Sequence, residues 1–205
     1  MEKIQFDEKT FIWKTKLGLS TIKELILNEA LDIIEQNKNT HNFDAYSHKL
    51  PFQYETHSFE KPSLLDKILS VAVENSKSII NTNYNTIWCN SWINLIRKTN
   101  PIQPGFYDKN KIVYHNHVEL ATIFKPSFTF VYYIQMPDIV KNEDGVLYLK
   151  GDTLEHYIMP EEDDLLILPG DLPHAPNHAL NSKLDRIVLA GNVGFEYVKN
   201  QKSIL

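Results

Sequence analysis

Asp164-Leu165-Leu166-Ile167-Leu168-Pro169-Gly170-Asp171-Leu172-Pro173-His174 decides how this chain folds. An unbroken apolar run stopped by Pro-Gly reads as a strand buried on both faces, and the turn after it delivers His174 at the strand's end. Outward from this run, everything beyond Asn85 has the same texture. Short apolar or alternating segments are separated by Pro, Gly and Asn, which predicts strands at 86–98, 111–119, 128–135, 145–150, 154–159, 164–168 and 186–195. Many short strands at this spacing make a β-sandwich or barrel. The N-terminal part reads differently. A strand over 9–17 would place Phe11, Trp13, Thr15 and Leu17 on one face. A helix follows, with capping-box spacing at Thr21 and Glu24 and apolar positions Ile22, Leu25, Ile26, Ile33 and Ile34 reaching to about Gln36. The polar stretch 37–48 reads as a surface loop in which His41 and His48 are solvated. A second helix runs from Pro62-Ser63 to about Ile80 and buries Leu64, Leu65, Ile68, Ala72 and Ile79. The expected class is mainly β with flanking helices packed outside one sheet, in a single domain over 1–205: a supporting part at 1–84 and a β core at 85–198.

Composition bounds the chemistry. The 205 residues are 42% hydrophobic and 11% aromatic, enough for one sizeable core without a second domain. A net charge of −5 gives no strong nucleic-acid signal, because a phosphate backbone calls for a broad basic surface. The single cysteine, Cys89, excludes an internal disulfide and reads as an inert strand residue in a reducing compartment. No signal-like segment opens the chain and no apolar run is long enough to span a bilayer, so a cytoplasmic protein with no membrane partner is expected.

The chemistry-bearing residues lie in the β part. In a strand, residues i and i+2 project to one side, so His117 and Glu119 of His115-Asn116-His117-Val118-Glu119 can grip one ion. With His174 they form a set of two imidazoles and one carboxylate, which leaves the opposite face of a metal open and suits non-haem Fe(II) binding a co-substrate and O₂. His115 shares that face. It can replace a ligand, hydrogen-bond one or contact a substrate, and Glu119 ranks above it because a carboxylate keeps the site closer to neutral. Arg186 opens an apolar strand, where an unpaired guanidinium is costly, so an anion should meet it. A dicarboxylate co-substrate would suit its bidentate fork, whereas the bland alternative is an ion pair with Asp185 or the acidic run 161–164. Asn94 can touch co-substrate or substrate, or serve structurally. His156 and His178 read as a solvated edge residue and a loop residue.

In the order of these motifs the segment from Trp88 to Phe195, about half the chain, resembles the Fe(II)- and 2-oxoglutarate-dependent oxygenases, in their prolyl-hydroxylase-like, phage-borne or bacterial branch. His117-Val118-Glu119 is similar to the family's His-x-Asp/Glu, Phe130-Val131-Tyr132-Tyr133-Ile134 to the strand after it, and Asp144-Gly145-Val146-Leu147 to its Gly-x-Leu turn. Leu168-Pro169-Gly170-Asp171-Leu172-Pro173-His174 is similar to the distal-histidine strand. The resemblance implies a double-stranded β-helix (jelly-roll, cupin-like) core. It implies Fe(II) on His117, Glu119 and His174, and 2-oxoglutarate held by Arg186 and Tyr133. O₂ would be the oxidant in hydroxylation of a small molecule or a protein residue, with release of succinate and CO₂. Tyr133 has an ordinary alternative as a core aromatic. Two positions depart from the pattern: Glu119 stands where Asp is commoner, and Val188 where many relatives carry Ser or Thr.

A cupin-like metal protein, acting as isomerase, non-oxoglutarate dioxygenase or binder, competes with this reading. It would use both His115 and His117 but has no role for Arg186. A metal-free barrel would bury polar ligands with nothing to bind. The prime substrate is not written in the motifs, and a homodimer through the outer helices is compatible with them.

Overall fold

The computed structural model describes residues 1–37, 63–80, 84–96, 114–117, 123–138, 145–177 and 182–197. Glu119, His178 and the stretch 38–48 with His41 and His48 lie outside the described residues. Among the described residues nine strands and two α-helices appear in chain order: β1 (Glu2–Gln5), β2 (Phe11–Lys16), α1 (Lys23–Asn37), α2 (Leu64–Ile79), β3 (Tyr84–Ile96), β4 (Ser127–Gln135), β5 (Leu147–Lys150), β6 (Glu155–Ile158), β7 (Asp164–Pro169), β8 (His174–Pro176) and β9 (Arg186–Tyr197). The strands form two antiparallel sheets, a major one in the order β1-β2-β7-β4-β9-β3 and a minor one in the order β6-β5-β8.

The central strands are apolar at nearly every position because both faces of the major sheet are covered. On one face Phe128, Phe130, Tyr132, Leu165, Ile167, Leu189 and Phe195 share a core with Ile26, Ala30 and Ile34 of α1 and Leu65, Ile68 and Ala72 of α2. On the other, Val131, Tyr133, Leu166, Leu168, Val188 and Ala190 meet Leu147 and Leu149 of the minor sheet. The run 164–168 is thus a strand buried on both sides. Gly191 sits where β9 crosses the Phe130 ring, and a Cβ there would collide with that ring and with the Asn90 carbonyl.

Several expectations are corrected. The buried stripe of α1 is Ile26, Ala30 and Ile34 at i, i+4, i+8, which turns Leu25 out to 59% exposure. No capping box forms at Thr21. Instead a 3₁₀ turn, Ser20–Ile22, leads into the helix without a side-chain cap, whereas Ser63 and Asp66 form a capping box on α2. On β2 the fully buried residue is Ile12, on the face opposite Trp13. The expected strand 111–119 is described only over 114–117, where pairing reduces to a single bridge from His115 to His174. β1 and β8 are additional to the expected strands. Among the described residues no helix is long and apolar enough to cross a membrane.

Candidate metal centre

Backbone hydrogen bonds bring the two histidine segments together. His115 and His174 exchange both N–H···O=C bonds, at 3.0 and 2.8 Å, and the His117 N–H donates to the Gly170 carbonyl at 3.1 Å. The turn that ends β7 therefore serves as the dock for His117. His174 lies directly opposite Leu149, which is fully buried in the inner core, so its ring points inward. The outcome is a cluster of imidazoles: ring centroids are 4.3 Å apart for His115 and His174, and 5.6 Å for His117 with each of the others.

One ring nitrogen from each of His115, His117 and His174 lies within 4.8 Å of the other two. Three donors at about 2.1 Å from one ion lie no more than about 3.6 Å from one another, so shifts on the order of 1 Å or less per ring would bring all of them onto a single metal. Proton placement favours this. The His174 Nδ1 lies 2.9 Å from the Leu172 carbonyl, which only accepts, so Nδ1 carries the hydrogen and Nε2 keeps its lone pair. Burial, opposed by that hydrogen bond and reinforced by His117, pulls the His174 pKa down to about 4. Burial, with His115 beside it, does the same to His117, again to about 4. Both imidazoles are neutral at pH 7, the state in which they bind metals. The His117 Nε2 is buried without a hydrogen-bond partner, an orphan that a metal would satisfy.

Arg186 stands at the start of β9, on the same inner face, and is 4% exposed. Its guanidinium donates to the Tyr133 hydroxyl at 3.3 Å and its Nε has no partner. Tyr133 is fully buried, and burial raises its phenol pKa, so it offers a neutral hydroxyl. The acidic run that could have neutralised the cation is engaged elsewhere. Asp164 meets Lys14 at 2.8 Å, Glu161 meets Lys16 at 2.7 Å and Glu162 meets Lys23 at 2.7 Å. Asp163 accepts the Gly18 and Leu19 N–H groups and the Tyr132 hydroxyl. Between Arg186 and the histidines the inner face of β9 carries the small apolar side chains of Val188 and Ala190.

The structure thus brings His117 and His174 together, adds His115, and places Arg186 against Tyr133. Sequence reasoning missed Trp92, whose ring lies 6.0 Å from His117, and the pair Thr129 and Asn192. Alternation along β3, β4 and β9 puts them on the inner face, but only the strand register puts them beside the histidines. Asn94 is exposed on β3 opposite Val188. His156 is not solvated: it bonds Asp7 at 2.9 Å and stacks on Phe6 at 5.2 Å. Cys89 is half-buried, and burial pushes its thiol up to about 12, which fits an inert residue.

No protein-family model matches the sequence, and a search of curated proteins finds no match. Solved structures do match. A Pseudomonas putida prolyl-4-hydroxylase aligns with TM-score 0.54 at 14% identity, over 92% of this chain and 88% of that one. The viral collagen prolyl hydroxylase of Paramecium Bursaria Chlorella virus-1 aligns with TM-score 0.52 at 16% identity, over 95% and 98%. A prolyl hydroxylase from Trichoplax adhaerens, solved with a hypoxia-inducible-factor peptide fragment, aligns with TM-score 0.56 at 16% identity, over 89% and 83%. At these identities the likeness defines the fold: two antiparallel sheets in the jelly-roll arrangement of the 2-oxoglutarate oxygenases.

Proposed function

We propose that this chain is an Fe(II)- and 2-oxoglutarate-dependent oxygenase that hydroxylates its substrate and releases succinate and CO₂. One observation carries the reading. The inner face that gathers neutral imidazoles also buries an arginine whose hydrogen-bond partner is a neutral phenol, so the site offers a metal position and an anion position together. His117 and His174 would hold the iron. The remaining protein ligand is Glu119, favoured by charge, or His115, favoured by its place in the cluster. Bound iron supplies activation of O₂ for C–H oxidation, and the protein's part is binding and orientation. Arg186 and Tyr133 would hold the distal carboxylate of 2-oxoglutarate, and Ala190 and Val188 would line its bed. The helices that share a core with the far face of the major sheet are read as the outer support of one domain over 1–205. A cytoplasmic setting, where Cys89 stays reduced, suits it. The peptide complex of the Trichoplax enzyme makes a protein residue the first substrate class to screen, ahead of free small molecules.

A cupin-like reading draws support from one observation, the meeting of His115 with His117 and His174. Anaerobic titration of apo-protein with Fe(II) and 2-oxoglutarate separates the two. A visible metal-to-ligand charge-transfer band that His174→Ala abolishes, and that Arg186→Ala shifts to much higher 2-oxoglutarate, is expected. Metal binding without a band and without affinity for 2-oxoglutarate would hand the site to the cupin-like reading.

A further inference from the structure

Thr129, Asn192 and Asn90 lie directly opposite one another on β4, β9 and β3, so they form one polar row across three adjacent strands. The row is continuous in hydrogen bonds. The Thr129 hydroxyl lies 2.8 Å from the Asn192 carbonyl oxygen, and the Asn192 nitrogen lies 3.4 Å from the Asn90 oxygen and 3.5 Å from the His117 Nδ1. Thr129 and Asn192 are 1% and 4% exposed, on a face whose neighbouring positions on β4 and β9 are the apolar Val131 and Ala190. A buried amide and hydroxyl on such a face cost stability unless they bond, and the bond that leads out of the row ends on His117.

We infer that Asn192, held by Thr129 and Asn90, is a positioning residue that selects the metal-binding tautomer of His117; the inference rests on the metal centre proposed above. With the amide nitrogen toward His117, Nδ1 must accept, the ring hydrogen stays on Nε2, and Nε2 has no acceptor. Turning the amide over resolves this. His117 Nδ1–H then donates to the Asn192 oxygen, the Asn192 N–H donates to the Thr129 hydroxyl oxygen, and a likewise turned Asn90 donates to Asn192. A hydroxyl donates or accepts equally well, so Thr129 supports the row in either polarity. The His117 Nε2 lone pair is then free to face a metal. Its role parallels the Leu172 carbonyl at His174, so each ring would be fixed by an oxygen on its Nδ1 side.

The test is anaerobic titration with Co(II), whose visible d–d bands report ligand geometry without turnover, on Asn192→Leu, Asn192→Asp and Thr129→Val. Asn192→Leu should bind Co(II) about 10- to 100-fold more weakly than wild type and change the band shape. Asn192→Asp should restore near wild-type affinity, because a carboxylate accepts Nδ1–H, and Thr129→Val should fall between. Wild-type affinity in Asn192→Leu, or equal loss in Asn192→Asp and Asn192→Leu, would overturn the role. Should Asn192→Leu not fold by near-ultraviolet circular dichroism, weakened binding in Thr129→Val together with wild-type affinity in Asn192→Asp supports the role, and any other pattern overturns it. Failure of wild type to bind Co(II) at all would instead remove the metal centre, and this role with it.

Discussion

At His117 and His174 the decisive variable is the proton. Both have pKa values of about 4 in the folded chain against about 6.5 for a free imidazole, so between these values the unfolded state binds more protons than the folded one. Stability of the apo-protein therefore falls as pH drops from about 6.5 toward 4 and is insensitive to these groups above that window. Urea denaturation of wild type and of His174→Gln at pH 7 and pH 5 checks the sign: the loss on acidification should be smaller in the variant. A loss of equal size would place the acid sensitivity elsewhere. Arg186 allows a prediction of opposite character. A buried guanidinium facing a neutral phenol destabilises the empty protein, so Arg186→Met should leave the apo-fold equally stable or about 1 kcal/mol more stable, while shifting binding by the metal-loaded protein to much higher 2-oxoglutarate. A loss of more than about 2 kcal/mol in thermal or urea unfolding would mean that the guanidinium serves the fold.

Among the elements, the two helices start in different ways, and their first turns should respond accordingly. Ser63 caps α2 and is capped in return by Asp66, so Ser63→Ala should cost about 1 kcal/mol. Thr21 lies in a 3₁₀ turn that has no side-chain cap, and Thr21→Ala should cost little. Chemical denaturation of both variants tests the pair, and equal effects would contradict the assigned starts. The contrast also shows what was legible. The Thr21/Glu24 and Ser63/Asp66 spacings look alike in sequence, and what separates them is tertiary: Asp163, with φ of 70°, reaches across to the Gly18 and Leu19 N–H groups and fixes the entry to α1. Strands with a strong pattern were readable, β7 and β9 above all, because burial on both faces writes an apolar run. β1 was not, since Glu2-Lys3-Ile4-Gln5 is polar and mostly exposed, nor was β8, which is only His174–Pro176. Of the candidate site, residue type and spacing singled out His117, His174 and Arg186, which the fold brings to one inner face. The meeting of His115 with His174 was not legible, and neither was the row Thr129–Asn192–Asn90, whose bonds span 63 and 102 residues of sequence and depend on register.

For the molecule as a whole, the site straddles the two sheets. His174 belongs to the minor sheet, Arg186 and Tyr133 to the major one, and His117 docks on the turn that joins β7 to β8. A metal with a co-substrate reaching from it to Arg186 would therefore tie the sheets together across the inner core. Ligand at about 100 times its dissociation constant adds about 2.7 kcal/mol, which for a chain of this length raises Tm by roughly 5–10 °C. Under anaerobic conditions Co(II) alone should give a shift of this order. 2-Oxoglutarate alone should give little, and the two together should give more than the sum of the separate shifts, because the chelating end has nothing to bind until the metal is present. Arg186→Met should keep the Co(II) shift and lose the excess. If the shifts are merely additive in wild type, metal and 2-oxoglutarate occupy independent places, the guanidinium does not hold a ligand of the metal, and the buried cation must be answered by a different anion.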